Sequence, residues 1–346
     1  MSNIELTEVR AAHTFDQDVL GEYLSQHVDG YQGPLQVKQF EGGQSNPTFQ
    51  LITPGETYVM RKQPPGELLP SAHQVDREYR VMHALRDTKV PVPIMYCLCE
   101  DTEIIGTKFY VMDFVSGRVF TDPGMPDSNN TERRHAYLNL ASILGELHSI
   151  RPEQVGLEDF GRPGNYYERQ FNRWSKQYVA SKTDELPDMD ALMEWLPDNV
   201  PDDDASGIVH GDYRLGNVLL SPDNGDIAAV LDWELSTLGH PLGDLAYMCQ
   251  PYSGIATGGS PLPENYLDLG IPHEQEMLEA YCKTSGRDQI KDWDFYVIFN
   301  MFRSASIIQG VYKRGLDGNA ASEKALSFKD AARLISAAGN HRLQSL

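Results

Sequence analysis

Cysteine is scarce in this chain of 346 residues, which contains only four. Four cysteines are too few for the disulfide framework of a small secreted protein. Cys97 and Cys99 form a Cys-x-Cys pair, but the second pair that a zinc site of this kind needs is missing. We therefore interpret both residues as small apolar side chains within a strand.

Long apolar runs are also missing from the sequence. No stretch of about 18 apolar residues occurs, so no membrane-spanning helix is predicted. The longest apolar region, 295–309, is interrupted by Asn300 and Arg303. The first ten residues, MSNIELTEVR, lack the basic and apolar parts of a secretory signal peptide. We therefore expect a cytoplasmic protein with no membrane partner.

Basic residues are few compared with acidic ones. Lysine and arginine total 29 against 50 aspartates and glutamates, and the formal net charge is -21. A surface with this charge repels nucleic acid and anionic membranes, so neither is expected as a partner. An anionic small-molecule substrate is not excluded, because a binding site can concentrate arginine and lysine locally.

The first 115 residues are predicted to contain strands and one helix. Alternating apolar and polar residues predict the strands, and a turn at 54–56 separates the second from the third. Val75, Tyr79, Met82 and Leu85 recur at helical spacing. The predicted strands cover 35–43, two segments within 48–63, 90–101 and 108–115, and the predicted helix covers 75–87.

Helices dominate the prediction after residue 116. Phe171, Trp174 and Tyr178 are spaced for burial along one of these helices. A hairpin-like segment at 208–232 interrupts the helical pattern. The predicted helices cover 133–150, 166–182, 274–285, 292–313 and 322–338. We therefore predict an α+β protein with a β-rich N-lobe, residues 1–115, and a mainly helical C-lobe, residues 116–346.

The hairpin-like segment contains an unusual set of polar residues. His210, Gly211 and Asp212 are followed by Asn217, and three apolar residues come next. Asn224-Gly225 predicts the turn of a hairpin, since both residue types accept positive φ. Folding of this hairpin brings Asn217 close to Asp232 at its open end. The sequence thus predicts that the oxygens of three side chains converge, those of Asp212, Asn217 and Asp232.

These three side chains are suited to phosphoryl transfer. A carboxylate and an amide oxygen form a ligand set that Mg²⁺ prefers, and a second carboxylate can accept a proton from a hydroxyl nucleophile. An alternative is a zinc site formed by His210 with these acids, but no second histidine lies near in sequence. Another alternative is a hairpin in which Asp and Asn merely cap turns.

The spacing His-Gly-Asp-x-x-x-x-Asn, followed one hairpin later by Asp-Trp-Glu, resembles the aminoglycoside phosphotransferase-like kinases. Protein kinases have His-Arg-Asp and Asp-Phe-Gly in the same arrangement. The resemblance implies a protein-kinase-like two-lobe fold that uses ATP and Mg²⁺. It implies that Asp212 is the catalytic base and that Asn217 and Asp232 are the metal ligands. Asp244 would stabilise the catalytic loop, as His210 would, and Glu234 has no assigned role.

The resemblance also implies nucleotide-binding residues in the N-lobe. Arg61 lies where the family has its phosphate-binding basic residue, with Lys62 as the alternative, and Glu78 is the expected partner on the following helix. The loop FEGGQSNPTF has no G-x-G-x-x-G spacing, yet its small and polar residues can approach phosphate. The remaining expected contacts are Gly43, Ser45 and Asn46 in this loop, and Asp113 to Val115 in the segment that would face adenine.

Several segments resemble the phosphotransferase domain that is associated with acyl-CoA dehydrogenases. They include GGQSNPTF, VMDFVSGRVF, RQFNRWSKQY and FRSASIIQGVYKRG. This resemblance implies that the acceptor is the hydroxyl of a hydroxyacyl-CoA, and it suggests a functional link to an acyl-CoA dehydrogenase. Arg169, Arg173 and Arg303 are the candidate contacts for such a substrate. The acidic composition favours a cationic acceptor instead, such as an aminoglycoside, an amino sugar or a choline-like amine, and a nucleotide-binding protein without turnover is a further alternative.

Overall fold

The computed structural model describes residues 5–41, 46–66, 73–162, 164–255, 260–319 and 323–346, the first two residues of the last range by their backbone alone. The chain forms two compact units. The first comprises Met1–Val119, Glu153–Leu157 and Gly216–Ser236. The second comprises Phe120–Pro152, Glu158–Leu215 and Thr237–Leu346.

The first unit contains an antiparallel six-stranded sheet with the order β1-β2-β3-β4-β6-β5 within the described residues. Two helices belong to the same unit. The strands are β1 (Leu6–Thr7), β2 (Gln36–Phe40), β3 (Thr48–Ile52), β4 (Thr57–Lys62), β5 (Met95–Cys99) and β6 (Phe109–Asp113), and the helices are α1 (Gln17–His27) and α2 (Val75–Leu85).

The core of this sheet forms because its strands alternate as the sequence predicts. Phe49 and Leu51 in β3 are fully buried, as are Phe109 and Val111 in β6. Strand β5 begins later than the predicted residue 90, because the prolines at 91 and 93 have no N–H groups for a ladder. Helix α1 was not predicted from the sequence; the Asp16 side chain caps it by accepting from two backbone N–H groups.

The predicted hairpin is present in the first unit as β8 (Val218–Leu220) and β9 (Ile227–Val230), and its turn differs from the prediction. The connection runs from Ser221 to Asp226, where the Ser221 N–H donates to the Asp226 carbonyl at 2.7 Å. Gly225 has φ 74°, whereas Asn224 is not among the residues with positive φ. The Asn-Gly pair therefore belongs to a longer loop than the tight two-residue turn.

The second unit is mainly helical. A two-stranded antiparallel ladder accompanies the helices, formed by β7 (Gly207–Val209) and β10 (Thr237–Gly239). Tyr167, Tyr178 and Phe302 are among its buried aromatic residues, while Phe171 and Trp174 are only partly buried, contrary to the prediction. The helices are α3 (Asn130–Ser149), α4 (Tyr166–Ser181), α5 (Pro187–Trp195), α6 (Leu242–Met248), α7 (Glu274–Ser285), α8 (Trp293–Leu316) and α9 (Ala331–Gln344).

The predicted α+β composition is confirmed, and the last predicted helix is wrong in its position. Helix α9 begins at Ala331 instead of residue 322, because a 3-10 helix at Glu323–Phe328 and a turn precede it.

No helix within the described ranges is both long and apolar enough to cross a membrane. Cys97 and Cys99 are buried free thiols in β5. This agrees with their interpretation as small apolar side chains within a strand.

Candidate nucleotide and catalytic sites

A cavity of about 240 Å³ lies within the first unit. Side chains from β4, β6 and the β8–β9 hairpin line it. This one cavity is faced by Arg61, which the sequence analysis selected as a phosphate contact, and by Asn217 and Asp232, which it selected as metal ligands. The lining residues are Phe40, Thr48, Val59, Arg61, Met82, Pro93, Tyr110, Met112, Asp113, Phe114, Val115, Val119, Gly216, Asn217, Leu219, Leu231 and Asp232.

Arg61 is surrounded by three carboxylates at the polar end of the cavity. Its Nη2 donates to Asp232 Oδ1 at 2.9 Å and lies 3.6 Å from Glu234 Oε2, and its Nε lies 3.2 Å from Glu78 Oε2. Burial opposes the charge of the guanidinium, but the carboxylates of Glu78 and Asp232 outweigh it and raise the pKa of Arg61. Arg61 is therefore a permanent cation at this position.

Glu78 is the buried partner of Arg61, at the position on α2 that the sequence analysis expected. Its carboxylate accepts hydrogen bonds from Asn46 Nδ2 at 2.7 Å and from the Tyr110 hydroxyl at 3.0 Å. Burial raises the pKa of Glu78 to about 6, although the positive charge of Arg61 opposes the increase. Because this pKa lies below neutrality, Glu78 is ionised at pH 7 and above.

Asn46 was expected to contact phosphate from its loop, but its side chain lies elsewhere. The side chain is fully buried, its Nδ2 donates to Glu78, and its Oδ1 lies 3.0 Å from His73 Nδ1. Asn46 is not among the residues that line the cavity. The position of Asn46 therefore corrects the expectation, since its amide orients Glu78 directly. Gly43 and Ser45, the other two loop residues selected from the sequence, lie outside the described residues.

Lys62, the alternative to Arg61, points away from the cavity. Its side chain is buried, with Nζ 3.4 Å from the Thr107 hydroxyl and 5.9 Å from the centroid of the Phe15 ring. Burial lowers the pKa of Lys62. Neighbouring residues of a strand point to opposite faces, so the alternation that directs Arg61 into the cavity directs Lys62 out of it.

Asp113 to Val115 line one side of the cavity, and their role beside adenine stays a prediction. The Asp113 N–H donates to the Ile94 carbonyl at 2.9 Å, and the Asp113 side chain accepts from the Ile94 N–H at 2.7 Å. These two bonds fix the end of β6. Burial raises the pKa of Asp113. The apolar side chains of Val59, Met82 and Met112 complete a flat slot beside this segment.

Asn217 and Asp232 flank the open end of the hairpin. The Leu231 N–H donates to the Asn217 carbonyl at 2.8 Å, which holds the two chain segments together. Asp232 has left-handed backbone angles, φ 63° and ψ 59°. This conformation costs a non-glycine residue about 1 kcal/mol, and such strain is common at functional sites. It directs the Asp232 carboxylate into the cavity, where the side chain is 36% exposed.

The donor set around Asp232 fits a divalent cation. Three carboxylates face one guanidinium, which leaves an excess of negative charge at this end of the cavity. Mg²⁺ commonly binds through one or two carboxylate or amide oxygens and keeps several waters. Within the described ranges no group of three or more His, Cys, Asp or Glu side chains is arranged to hold a metal ion by itself, so a bound cation would also need the Asn217 amide, water or phosphate oxygens. The zinc alternative for His210 has no support in the geometry, since His210 is buried and its Nδ1 accepts from the Asp212 N–H.

The loop with Asp212 belongs to the second unit, where a buried carboxylate fixes its backbone. Asp244 in α6 accepts from the N–H groups of His210 at 2.6 Å and Gly211 at 2.9 Å. Gly211 has φ 85°, a conformation that favours glycine. Burial would raise the pKa of Asp244, but the hydrogen bonds from His148 and the loop backbone lower it overall. Asp244 therefore remains ionised below this loop.

Two buried histidines complete the support of this loop. His210 Nδ1 accepts from the Asp212 N–H at 3.3 Å, a contact of the kind expected for a stabilising residue. His148 in α3 lies between Tyr281, whose hydroxyl is 3.0 Å from Nδ1, and Asp244, whose Oδ2 is 3.5 Å from Nε2. Burial lowers the pKa of His148, so its imidazole is neutral. The sequence analysis did not select His148, since a single histidine on an apolar helix face gives no specific signal.

The Asp212 carboxylate remains accessible. Its side chain is 24% exposed, and Oδ2 lies 3.6 Å from Arg214 Nε. Arg303 in α8 reaches the same loop, where its Nη2 donates to the Gly211 carbonyl at 3.0 Å. Arg303 was selected as a substrate contact, and the structure also gives it a role in fixing the loop.

Arg169 and Arg173, the other selected substrate contacts, lie on α4. Arg169 Nη2 donates to the Arg162 carbonyl at 2.6 Å and lines a surface pocket with Asn165 and Asn172. The guanidinium of Arg173 lies 4.9 Å from the centroid of the Trp174 ring.

The chain resembles proteins of known sequence and structure over nearly its whole length. The human protein named acyl-CoA dehydrogenase family member 11 is 41% identical over 342 residues, which cover 97% of this chain and 44% of the relative. This chain thus spans less than half of that relative. A crystallised protein from Ralstonia eutropha, provisionally assigned as an aminoglycoside phosphotransferase, has 46% identity and a TM-score of 0.88, covering 96% of this chain and 99% of its own.

A more distant structure supports the fold alone. The aminoglycoside phosphotransferase APH(4)-Ia, solved as a ternary complex with AMP-PNP and hygromycin B, has 17% identity and a TM-score of 0.59 over 93% of this chain and 98% of its own. The predicted protein-kinase-like fold is confirmed by these neighbours. Residues 36–280 match the family model described as the phosphotransferase enzyme family. With most of its length matched in this way, the chain belongs to the phosphotransferase enzyme family (APH), as the spacing of His210, Asp212, Asn217 and Asp232 predicts.

Proposed function

We propose that this protein transfers the terminal phosphoryl group of ATP, with Mg²⁺, to a hydroxyl group of a small molecule. The observation that supports the proposal best is the single cavity that Arg61, Asn217 and Asp232 share. Its apolar slot suits a base, and its polar end has both a permanent cation for phosphates and ligands for Mg²⁺. AMP-PNP in the APH(4)-Ia complex supports nucleotide binding in a protein of this fold.

Each residue has a defined task in this proposal. Arg61 binds the phosphates, and Glu78 keeps its guanidinium in place. Asn217 and Asp232 would hold Mg²⁺, which when bound would supply positive charge to the phosphate oxygens. Asp212 accepts the proton of the acceptor hydroxyl as the hydroxyl oxygen bonds to the γ-phosphorus and the bond from that phosphorus to the β–γ bridging oxygen breaks. ADP leaves with the bridging oxygen, and Asp212 then releases its proton to water.

A hydroxyacyl-CoA is the acceptor class that we favour. The support comes from relatives named acyl-CoA dehydrogenase family members, in which a region similar to this chain forms part of a longer protein. This arrangement also supports a functional link to an acyl-CoA dehydrogenase. Arg169, Arg173 and Arg303 would then face the phosphates of CoA. An aminoglycoside or amino alcohol is the competing class, which the net charge of -21 favours.

Measurement of ATP consumption with hydroxyacyl-CoAs, aminoglycosides and amino alcohols tests the proposal. With the active acceptor, Asp212→Asn should lower kcat by roughly 10² to 10⁴ while ATP binding stays nearly unchanged. The matched control is Asp223→Asn, because Asp223 is exposed in the loop between β8 and β9. This control should retain the kcat of the unmodified protein.

Two results would contradict the proposal. If none of the acceptors stimulated ATP consumption and Asp212→Asn left the basal rate unchanged, the protein would be a nucleotide-binding protein without turnover. Full activity of Asp232→Ala would exclude Asp232 as a metal ligand. If an aminoglycoside stimulated ATP consumption and no acyl-CoA did, the proposed acceptor would be wrong and the proposed phosphoryl transfer would still hold.

A further inference from the structure

His73 lies at an unusual point of the backbone, two residues before helix α2 begins. Its φ is 57°, in the left-handed region that glycine adopts readily and that asparagine, aspartate and histidine tolerate better than other residues. Its carbonyl accepts from the Val75 N–H at 3.0 Å and from the Gln63 side chain at 2.8 Å. Gln63 directly follows β4, the strand that carries Arg61. The backbone of His73 thus joins the start of α2 to the end of β4.

The side chain of His73 belongs to a chain of hydrogen bonds that leads to Arg61. His73 Nδ1 lies 3.0 Å from Asn46 Oδ1, and Asn46 Nδ2 donates to Glu78 Oε1 at 2.7 Å. The other carboxylate oxygen, Oε2, accepts from the Tyr110 hydroxyl at 3.0 Å and lies 3.2 Å from Arg61 Nε. Asn46 and Glu78 are both buried. The Asn46 amide therefore holds one oxygen of Glu78 while the other oxygen faces the guanidinium.

The charge of Glu78 fixes the direction of these bonds. An ionised carboxylate only accepts hydrogen bonds, so the Asn46 amide presents its nitrogen to Glu78 and its oxygen to His73. An amide oxygen also only accepts, so His73 Nδ1 carries the hydrogen. The geometry thus selects the Nδ1–H form of the neutral imidazole. Loss of this donor would leave a buried amide oxygen without the partner that orients it.

We propose that His73 is a positioning residue for the phosphate-binding Arg61, an inference that rests on the proposed function. Its imidazole orients the Asn46 amide, the amide orients the Glu78 carboxylate, and the carboxylate holds the guanidinium at the cavity. Its backbone reaches the strand of Arg61 through Gln63. A guanidinium held in one orientation loses less conformational entropy when phosphate binds. The gain in affinity applies to ligands with phosphate groups and not to a nucleoside alone.

The first test measures the hydrogen bond of His73 and needs no nucleotide. In protein labelled with ¹⁵N at histidine, the chemical shifts of the imidazole nitrogens show which of them carries the hydrogen. The His73 signals are identified by their loss in His73→Asn. At about pH 8.5, where histidine side chains are neutral, His73 should be in the Nδ1–H form. In Asn46→Ala, which removes the acceptor, the proportion of this form should fall.

The second test compares the affinities for ATP and adenosine by isothermal titration calorimetry. Glycine and asparagine both suit the left-handed backbone at this position, so His73→Gly and His73→Asn differ mainly in the donor. The Nδ2 of asparagine, like the Nδ1 of histidine, is bonded to Cγ. His73→Gly should weaken ATP binding about three- to tenfold and change adenosine binding less than about twofold. His73→Asn should restore most of the ATP affinity.

Arg61→Gln tests whether His73 acts through the guanidinium. This variant should weaken the binding of ATP and leave the binding of adenosine nearly unchanged, because adenosine has no phosphate. In the Arg61→Gln background, His73→Gly should cause no further loss of ATP affinity. A further loss equal to that in the unmodified protein would overturn the positioning role, since His73 would then act independently of Arg61.

Two other results would overturn the positioning role. One is the Nε2–H form of His73 in the unmodified protein, whatever the protein binds. The other is an equal loss of affinity for ATP and adenosine in His73→Gly, since it indicates a general change of the cavity. If Arg61→Gln weakened ATP binding and His73→Gly did not, this inference alone would fail. If Arg61→Gln left ATP binding unchanged, the phosphate contact in the proposed function would fail, and this inference with it.

Discussion

Arg61 has more negative partners than one cation can neutralise. The carboxylates of Glu78, Asp232 and Glu234 lie within 3.6 Å of its guanidinium nitrogens. A buried charge is costly unless it is paired, and the deeply buried Glu78 depends most on this pairing. The more exposed Asp232 and Glu234 have access to water and depend less on the arginine.

Glu78 makes the stability of the protein depend on pH. Its pKa rises from an ordinary value of 4.5 to about 6 in the folded protein, mainly through burial. A carboxyl group with a raised pKa contributes stability that is complete below the unfolded value and is lost as the pH rises through the folded value. Between pH 4.5 and about pH 6, the free energy of unfolding of the unmodified protein should fall by roughly 2 kcal/mol relative to that of Glu78→Gln.

Urea denaturation of both proteins at a series of pH values measures this difference. Groups that lie far from residue 78 titrate alike in the two proteins and cancel in the difference. Parallel stability curves for Glu78→Gln and the unmodified protein would show that the pKa of Glu78 does not change on folding.

The β8–β9 hairpin is packed closely against the segment that follows β6. Arg118 and Leu220 exchange two backbone hydrogen bonds, at 2.8 and 2.9 Å. A Cβ atom added to Gly117 would lie 2.9 Å from Leu219 Cβ and 3.0 Å from the Leu220 carbonyl oxygen. Glycine at this position therefore allows the hairpin, with Asn217 and Asp232 at its end, to reach the cavity wall.

Substitution of Gly117 tests this close approach. Gly117→Ala should reduce the free energy of unfolding by roughly 1 to 3 kcal/mol, because overpacking displaces β8. Gly55→Ala is the control, since a Cβ atom there meets nothing within 4 Å and Gly55 has no positive φ. Its effect should stay within about 0.5 kcal/mol. Thermal and urea denaturation measure both, and equal effects would show that the hairpin tolerates the methyl group.

Some elements escaped the sequence analysis because their stability comes from partners distant in the chain. Strand β10 has three residues and exists through its ladder with β7, about thirty positions earlier. Helix α6 has seven residues, too few to give a periodic signal or to be stable alone. By contrast, α7 was predicted at 274–285 and is found at Glu274–Ser285, because its apolar residues recur at helical spacing.

The net charge of -21 affects how any charged acceptor approaches the protein. With Mg²⁺ and ATP kept saturating, kcat/KM for an anionic acyl-CoA should increase several-fold when salt is raised from about 0.01 M to about 0.15 M, because screening weakens repulsion. For a cationic aminoglycoside, kcat/KM should decrease over the same range. Steady-state kinetics with each acceptor measure the effect, and a neutral acceptor is the control.

The opposite salt dependence of kcat/KM would contradict this expectation. A decrease in kcat/KM for an acyl-CoA would show that local basic residues, such as Arg169 and Arg173, control its approach in spite of the overall charge. In that case their replacement by glutamine should remove the salt dependence.

The amino-acid sequence alone was enough to predict the family of this chain. His210, Asp212, Asn217 and Asp232 lie within one short segment, so their spacing and the hairpin between them are local properties that a pattern can express. The alternation of β4 also distinguished Arg61 from Lys62, since neighbouring side chains of a strand face opposite ways. These predictions depend on dihedral preferences and periodicity, which act over a few residues.

Contacts between side chains that lie far apart in the chain became visible only in the folded protein. Arg61 and Asp232 are 171 positions apart, yet they form an ion pair at 2.9 Å. The burial of Asn46 against Glu78 is another contact between segments that lie far apart in the chain. Such contacts depend on how whole elements pack to bury apolar surface, and no local pattern in the chain specifies the packing.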